Sequence, residues 1–241
     1  MKRVLISLII FPLVLCAVGK GERGRFAHFD LRKSCAGWQV GFADYRADQE
    51  AFCELRWGCA NDRTLLNRGL FITGKNHSDD LFMFIKRPIH GLEPRTVYQV
   101  IARVEFLSKA PTGCLGIGGD PGASVYVKFG ASPEEPLPFI GLDGRVALNV
   151  DIGHQSNPGD DALVLGNIAT SVTDCHNERY EVKALETHSP LITRSDEGGT
   201  IWILVGTDSG FEGITSLYYT GVSVHLQRQT GRSRDWDSSL D

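Results

Sequence analysis

Chemistry in this chain would have to start from a few polar loops. Gly74-Lys75-Asn76-His77-Ser78-Asp79-Asp80 sets a histidine and two adjacent carboxylates directly ahead of an apolar run, Leu81 to Ile85. Such a group can hold a cation or supply an acid and a base; the plain alternative is a solvated loop in which Asp caps a turn. Asn149 to Asp161 (NVDIGHQSNPGDD) has the hard oxygen donors and glycine that calcium loops use, without the EF-hand spacing. Gly206-Thr207-Asp208-Ser209-Gly210-Phe211-Glu212-Gly213 offers two more carboxylates, either as part of a cation or ligand site or as a hairpin loop bonding its own backbone. Gly116-Ile117-Gly118-Gly119-Asp120-Pro121-Gly122 has the glycines of a dinucleotide fingerprint, but Pro121 and the β-like run after it stand where a helix is required, so it reads as a loop. No G-x-S-x-G, H-E-x-x-H or H-x-H occurs. A carboxylate pair for glycoside hydrolysis acts across space, and spacing along the chain does not report it. Of the aromatic residues able to stack on a sugar ring (Trp38, Tyr45, Trp57, Tyr126 and Trp202), Tyr126 alone falls on the polar parity of its run, and Trp202 falls inside an apolar one.

The elements that must position these groups are short strands. Tyr98, Val100, Ala102, Val104 and Phe106 alternate with Gln99, Arg103 and Glu105, the period of a strand buried on one face. Ile101 interrupts the polar set. Leu81 to Ile85 is apolar without a gap and predicts cover on both faces. Similar runs lie at Phe26 to Leu31, Trp38 to Phe42, Ala51 to Trp57, Leu70 to Thr73, Ala123 to Phe129, Val146 to Ile152, Tyr180 to Ala184 and Ile201 to Val205, with a last one placing Tyr218, Val222, Val224 and Leu226 on one face. Ala162 to Ala169 is the one place that suits a turn of helix. About ten short strands punctuated by Gly, Pro, Asn and Asp predict an all-β fold, a two-sheet antiparallel β-sandwich.

Lys2 and Arg3 before an apolar run from Val4 to Val18 predict a secretory signal peptide, residues 1–19, followed by one sandwich domain over residues 24–228 and a polar tail, residues 229–241. A lipid anchor at Cys16 is the alternative, although Leu15 is bulky for a lipobox. No other stretch is long enough for a transmembrane helix. The charge of −4, made −6 by loss of Lys2 and Arg3, together with the absence of any basic run, argues against nucleic acid as a partner. Five cysteines remain after cleavage, which predicts two bridges and one leftover thiol in an oxidising compartment. Cys114 and Cys175 lie outside the strand runs and are the expected pair. Cys53 and Cys59 can pair only if the chain reverses near Gly58.

Gly91-Leu92-Glu93-Pro94-Arg95-Thr96-Val97-Tyr98 resembles the strand lead-in of jelly-roll carbohydrate-binding modules and fibronectin-like sandwiches. With Asp30 in a short opening strand and Leu217-Tyr218-Tyr219-Thr220-Gly221-Val222-Ser223-Val224 in a closing one, the layout resembles the galactose-binding-like jelly roll. Gly37 to Tyr45 (GWQVGFADY) and His77 to Phe82 (HSDDLF) are similar to segments of secreted bacterial proteins with no assigned activity. The jelly-roll resemblance implies a secreted or periplasmic binding module whose partner is a carbohydrate or another cell-envelope component. It also implies a structural Ca²⁺ near the chain ends, with Asp30, Asp208 and Glu212 as candidate ligands. The alternatives are a hydrolase or lyase acting on polysaccharide through His77, Asp79, Asp80 and Asp208 or Glu212, and an adhesion protein that binds another protein. The expected ligand site is the loop end holding Asn76 to Asp80, namely His77, Asp79 and Asp80, with Asp208 and Glu212 contributing. The rival is a sheet face carrying Tyr126.

Overall fold

The structure, a computed structural model, describes residues 24–60, 69–77, 80–176 and 179–229. The expected signal peptide, the alternative anchor at Cys16, Asp79 and nearly all of the expected tail lie outside these residues. Fifteen strands follow one another: β1 (Arg25–Asp30), β2 (Gln39–Ala43), β3 (Tyr45–Arg46), β4 (Arg56–Ala60), β5 (Gly69–Lys75), β6 (Phe82–Ile89), β7 (Val97–Ser108), β8 (Val125–Ser132), β9 (Pro138–Ile140), β10 (Arg145–Leu148), β11 (Ala162–Asn167), β12 (Glu181–Glu186), β13 (Leu191–Arg194), β14 (Ile201–Ser209) and β15 (Ile214–Arg228). A 3-10 helix, Ala47–Cys53, precedes β4. All pairings are antiparallel.

A seven-stranded sheet runs β12-β7-β15-β5-β4, with β1 on β15 and β13 on β7, and a five-stranded sheet runs β11-β8-β14-β6-β2. Their inner faces make the main core, in which Val100, Val104 and Phe106 of β7 and Tyr219, Val222 and Val224 of β15 meet Val127 and Phe129 of β8 and Ile203 and Val205 of β14. The chain is therefore an antiparallel β-sandwich, as the strand count predicts. A third sheet, β3-β10-β9, is small. Its strand β3 pairs with β10, and β9 and β10 belong to a strap, residues 133–161, that crosses the outer face of the five-stranded sheet. There Leu148, Val150 and Ile152 pack on Ala43, Phe82, Phe84, Ala162 and Leu204 in a second apolar cluster. This cover explains the unbroken apolar run at the start of β6, whose Phe82 to Ile85 are all fully buried.

Several local expectations give way to tertiary geometry. Ala51 to Trp57 alternates like a strand, yet its first half is the 3-10 helix, ended by Glu54 in the left-handed region at φ 48°. Ala162 to Asn167 is β11, because it pairs with β8. Tyr218 does not share a face with Val222: the register of β15 on β7 slips between Tyr219 and Gly221, so Tyr219 points into the core and Tyr218 outward. Trp202 is on the outer face of its sheet, half-buried, with the Lys86 ammonium 5.5 Å from its ring. Among the described residues no helix is long and apolar enough to cross a membrane.

Cys114 and Cys175, the expected pair, are bonded, and Cys35 bonds Cys59, leaving Cys53 as a buried thiol. The Cys114–Cys175 bridge spans 61 residues and ties the β7–β8 loop to the segment ahead of β12. By chain entropy a closed loop of that size is worth about 4 kcal/mol. The Cys114→Ser/Cys175→Ser variant should lose stability of that order in chemical denaturation, and an unchanged midpoint and slope would refute the assignment.

Candidate functional site

Strand alternation sends polar groups to the face beneath the strap. On β8, Val125, Val127 and Phe129 face the core, so Tyr126 and Lys128 face the other way; on β14 the same alternation turns Leu204, Gly206 and Asp208 outward. Lys128 sits opposite Gly206, and Tyr126 opposite Asp208. Gly206 is required there because the Phe82 ring occupies the space a Cβ would take, 2.4 Å away. Lys128 Nζ lies 2.9 Å from Asp208 Oδ2, with the two side chains 0% and 1% exposed. The ammonium also donates to the backbone oxygens of Ile152 (2.7 Å) and Asn157 (3.1 Å), both in the strap. Asp208 Oδ2 accepts the Gln155 N–H at 2.7 Å. Sheet and strap are thus joined through one buried ion pair whose hydrogen bonds are shared between them.

Asp80 is brought to this pair by Asn76. The buried Asn76 amide donates to Ser209 O (2.7 Å) and Phe211 O (3.1 Å), and its Oδ1 accepts the Asp80 N–H at 3.2 Å. Those bonds dock the loop before β6 on the β14–β15 loop, with the Asp80 carboxyl beside Asp208. Asp80 Oδ2 meets Arg145 Nη2 at 3.3 Å and His154 Nε2 at 3.7 Å. Asp44, in the turn between β2 and β3 with φ 64°, supplies a third carboxylate, and its N–H donates to Val146 O at 2.6 Å. Burial, then the charges of Asp44 and Asp208, pushes the Asp80 carboxyl up to about 8. Burial, then Asp208, raises Asp44 to about 6.

Of the expected site residues that the structure describes, Asp80 and Asp208 come together, Tyr126 lies across from Asp208, and His77 and Asp30 are held elsewhere. His77 is exposed, and its Nε2 bonds Phe52 O of the 3-10 helix at 2.8 Å. Tyr126 is half-buried between its cross-strand neighbours Asp208 and Asn167. Glu212 ties the β14–β15 loop to the β7–β8 loop, its N–H donating to Ile117 O at 2.8 Å. Asp30 ends β1 in the opposite sheet and is matched by Arg32 (3.1 Å) and Lys33 (3.4 Å). The candidate calcium ligands are therefore not gathered: Asp30 and Asp208 stand in different sheets, each beside its own cation. Among the described residues no three His, Cys, Asp or Glu side chains form a metal-holding group. The carboxylates of Asn149 to Asp161 are also engaged, Asp151 accepting from Gly153 and Asp160, and Asp161 from Asp151. Lys128, Asp44, Arg145 and His154 were missed; a lysine between Val127 and Phe129 in a strand covered on both sides was the available signal.

Among the described residues nothing like the strap covers the other outer face of the sandwich, where Phe26 and Ile101 are exposed. Register places Phe26, His225 and Ile101 in one row across β1, β15 and β7, and His28, Ser223, Arg103 and Glu186 in the next row, which reaches β12. Arg103 is gripped by Glu186 (2.6 Å) and Glu105 (3.1 Å), and His28 Nδ1 is 2.8 Å from Ser223 Oγ. A groove of about 360 Å³ is lined by Phe26, His225 and Ile101 of the first row and by Ser223, Arg103 and Glu186 of the second. Farther along, Phe71, Tyr218 and Tyr180 form an aromatic cluster with ring centres 4.9 and 5.4 Å apart.

Two measurements follow from the buried cluster. Replacing Lys128 with Ala leaves Asp208 buried without its cation and should cost about 3–5 kcal/mol in denaturant unfolding; a loss below 1 kcal/mol would contradict the pairing. Asp44 and Asp80 bind protons more tightly folded than unfolded, so stability should fall as pH rises from about 4 to about 8 and then level. Asp30, Asp120, Asp151 and Glu181 are shifted down and act with the opposite sign, at the acid end. The Asp44→Asn/Asp80→Asn variant should flatten the upper window, and an unchanged slope would show the two carboxyls to be ordinary.

No protein-family model and no curated protein matches the chain. Among solved structures it is similar to the module TmCBM61 in complex with beta-1,4-galactotriose (14% identity, 80% of this chain and 90% of that one, TM-score 0.34). It is also similar to TmCBM27, a module recognising mannan (11%, 86% and 99%, TM-score 0.37), and to the xylan-binding module CBM15 (9%, 86% and 100%, TM-score 0.38).

Proposed function

We propose that the chain is a carbohydrate-binding module of the cell envelope or medium, and that its glycan surface is the open outer face of the seven-stranded sheet. The observation that carries this reading is the contrast between the two outer faces. One is sealed by the strap, and the other keeps Phe26 66% exposed beside a row of oriented polar groups. A sugar ring is apolar on its C–H faces and carries hydroxyls, each both donor and acceptor, around its rim. An aromatic floor therefore has to stand next to a donor and an acceptor held in fixed geometry. Arg103 has donors only and Glu186 and Glu105 acceptors only, and their ion pairs on the adjacent strands β7 and β12 hold them in place without burying them. The two disulfides suit an oxidising compartment, in line with the secretory leader expected at residues 1–19. His77 and Asp208, which a hydrolase reading would need in one cleft, are held by different partners, and Asp208 is sealed.

A glycan array with the full chain should identify one class of polysaccharide. By calorimetry, Phe26→Ala and Arg103→Ala should each weaken binding about tenfold or more, with the melting temperature little changed. Tyr126→Ala, on the opposite sheet, should bind as wild type. If Tyr126→Ala abolishes binding while Phe26→Ala and Arg103→Ala do not, the surface has been misassigned.

A further inference from the structure

Asp80 Oδ1 and Asp208 Oδ1 are both buried, and neither receives an N–H or hydroxyl donor from the described residues. An ionised carboxylate can only accept, so two ionised groups here would set like charges together and leave both oxygens desolvated and unmet. One proton between them removes both penalties. We propose that Asp80 and Asp208 share a proton, and that this protonated pair, each member of which also bonds the strap, keeps the strap closed on the five-stranded sheet and lets it loosen as the proton is lost. The glycan surface lies on the other sheet, and the two readings stand or fall separately.

The surroundings fix which residue carries the proton. Asp208 Oδ2 receives the Lys128 ammonium and the Gln155 N–H, both of which favour its anion. Asp80 Oδ2 has only Arg145 at 3.3 Å and His154 at 3.7 Å. The proton therefore resides on Asp80 and is donated to Asp208, in agreement with the upward shift of Asp80. The charged groups facing the pair are Lys128 from β8, Asp44 from the β2–β3 turn, Arg145 from β10 and His154 from the strap. With Asp80 protonated, the carboxylates of Asp44 and Asp208 are balanced by Lys128 and Arg145. With Asp80 ionised, three carboxylates face those two cations in a buried site.

The Lys128–Asp208 ion pair and the shared proton lie within the sheet side, and the cluster's remaining contacts cross to the strap. Arg145, His154, the Gln155 N–H and the carbonyls of Ile152 and Asn157 belong to the strap, while Asp80, Lys128 and Asp208 belong to the sheet side. Beneath it lie Phe82, Phe84 and Leu204. Loss of the proton loosens the cover over an apolar sheet face. With Asp80 ionising near its ordinary value in the open form and at about 8 in the closed form, opening grows up to about tenfold per pH unit between those limits and levels above.

The test uses the full chain, labelled at the aspartate side-chain carboxyl carbon, with hydrogen exchange followed in parallel. One carboxyl should titrate near pH 8 in the wild type and be missing from Asp80→Asn, whose amide can still donate to Asp208. The protection factor of the Gln155 amide, corrected for intrinsic exchange, should fall by up to about tenfold per unit from pH 5 to 8, while that of Val104 in β7 falls less. In Asp80→Asn the Gln155 value should stop falling above about pH 6, where Asp44 has finished titrating. An Asp80 carboxyl already ionised at pH 6 overturns the shared proton. Equal falls at Gln155 and Val104 overturn the loosening of the strap, because the whole fold and not the strap would then be opening. Should Asp80→Asn fail to fold, the wild-type titration and the two protection factors decide the matter alone.

Discussion

A lysine side chain with no exposed surface requires a counter-charge and acceptors for three N–H bonds, and Lys128 obtains them from two different layers of the molecule. Asp208, on the adjacent strand, supplies the charge; Ile152 and Asn157, in the strap, supply carbonyls. Neither layer satisfies the ammonium alone. The strap cannot leave without uncovering Lys128, and the five-stranded sheet cannot keep Lys128 at that position without the strap. Lys86 repeats the arrangement some distance along the same face, where it bonds Glu135 and the carbonyl of Pro136 while lying over Trp202. These polar anchors give the apolar cluster around Phe82 and Phe84 one register, since hydrophobic packing by itself has little directional preference.

Only one of the two outer faces is sealed by the strap. A sandwich has two outer faces, and residues there are free of the core. On the five-stranded sheet this freedom is spent on attachment of residues 133–161. On the seven-stranded sheet the alternate positions of β1, β7, β12 and β15 keep a row of apolar residues and a row of ion pairs at the surface. The bulge in β15 at Tyr219 serves this face too: it rotates Tyr218 outward to meet Phe71 and Tyr180 and sends Tyr219 into the core, its burial pushing the phenol far above its ordinary range.

The loop end holding Asn76 to Asp80 shows how one stretch can be read correctly as special and still be given the wrong work. Its density of titratable groups suggests an exposed reactive cluster. Asn76, the least reactive member, is the one that organises the place, because an amide can donate to two carbonyls and accept a backbone N–H at once. Its bonds to β14–β15 turn Asp80 inward toward Asp208 and leave His77 outside against Phe52.

Period-two alternation in β7, β8 and β14, the frequent turn residues and the small number of helical patterns were enough to read an antiparallel sandwich from the sequence, because those signals are local and each strand states its own buried face. The same is true of Asp208, whose outward parity on β14 can be counted off. Which carboxylates meet could not be counted off: Asp44, Asp80 and Asp208 are far apart in the chain and converge only through the register of β2, β6 and β14. The bulge in β15 defeated simple parity for Tyr218, since one inserted residue reverses every later position. The strap was the largest omission. Residues 133–161 carry one alternating run, Val146 to Ile152, which does not say what it packs on, and their place is set by anchors, Lys86, Lys128 and Asp208, that belong to other strands. Strand content and facing are properties of neighbours along the chain, whereas which face is covered and which is left exposed depends on contacts that exist only once the sheets have formed.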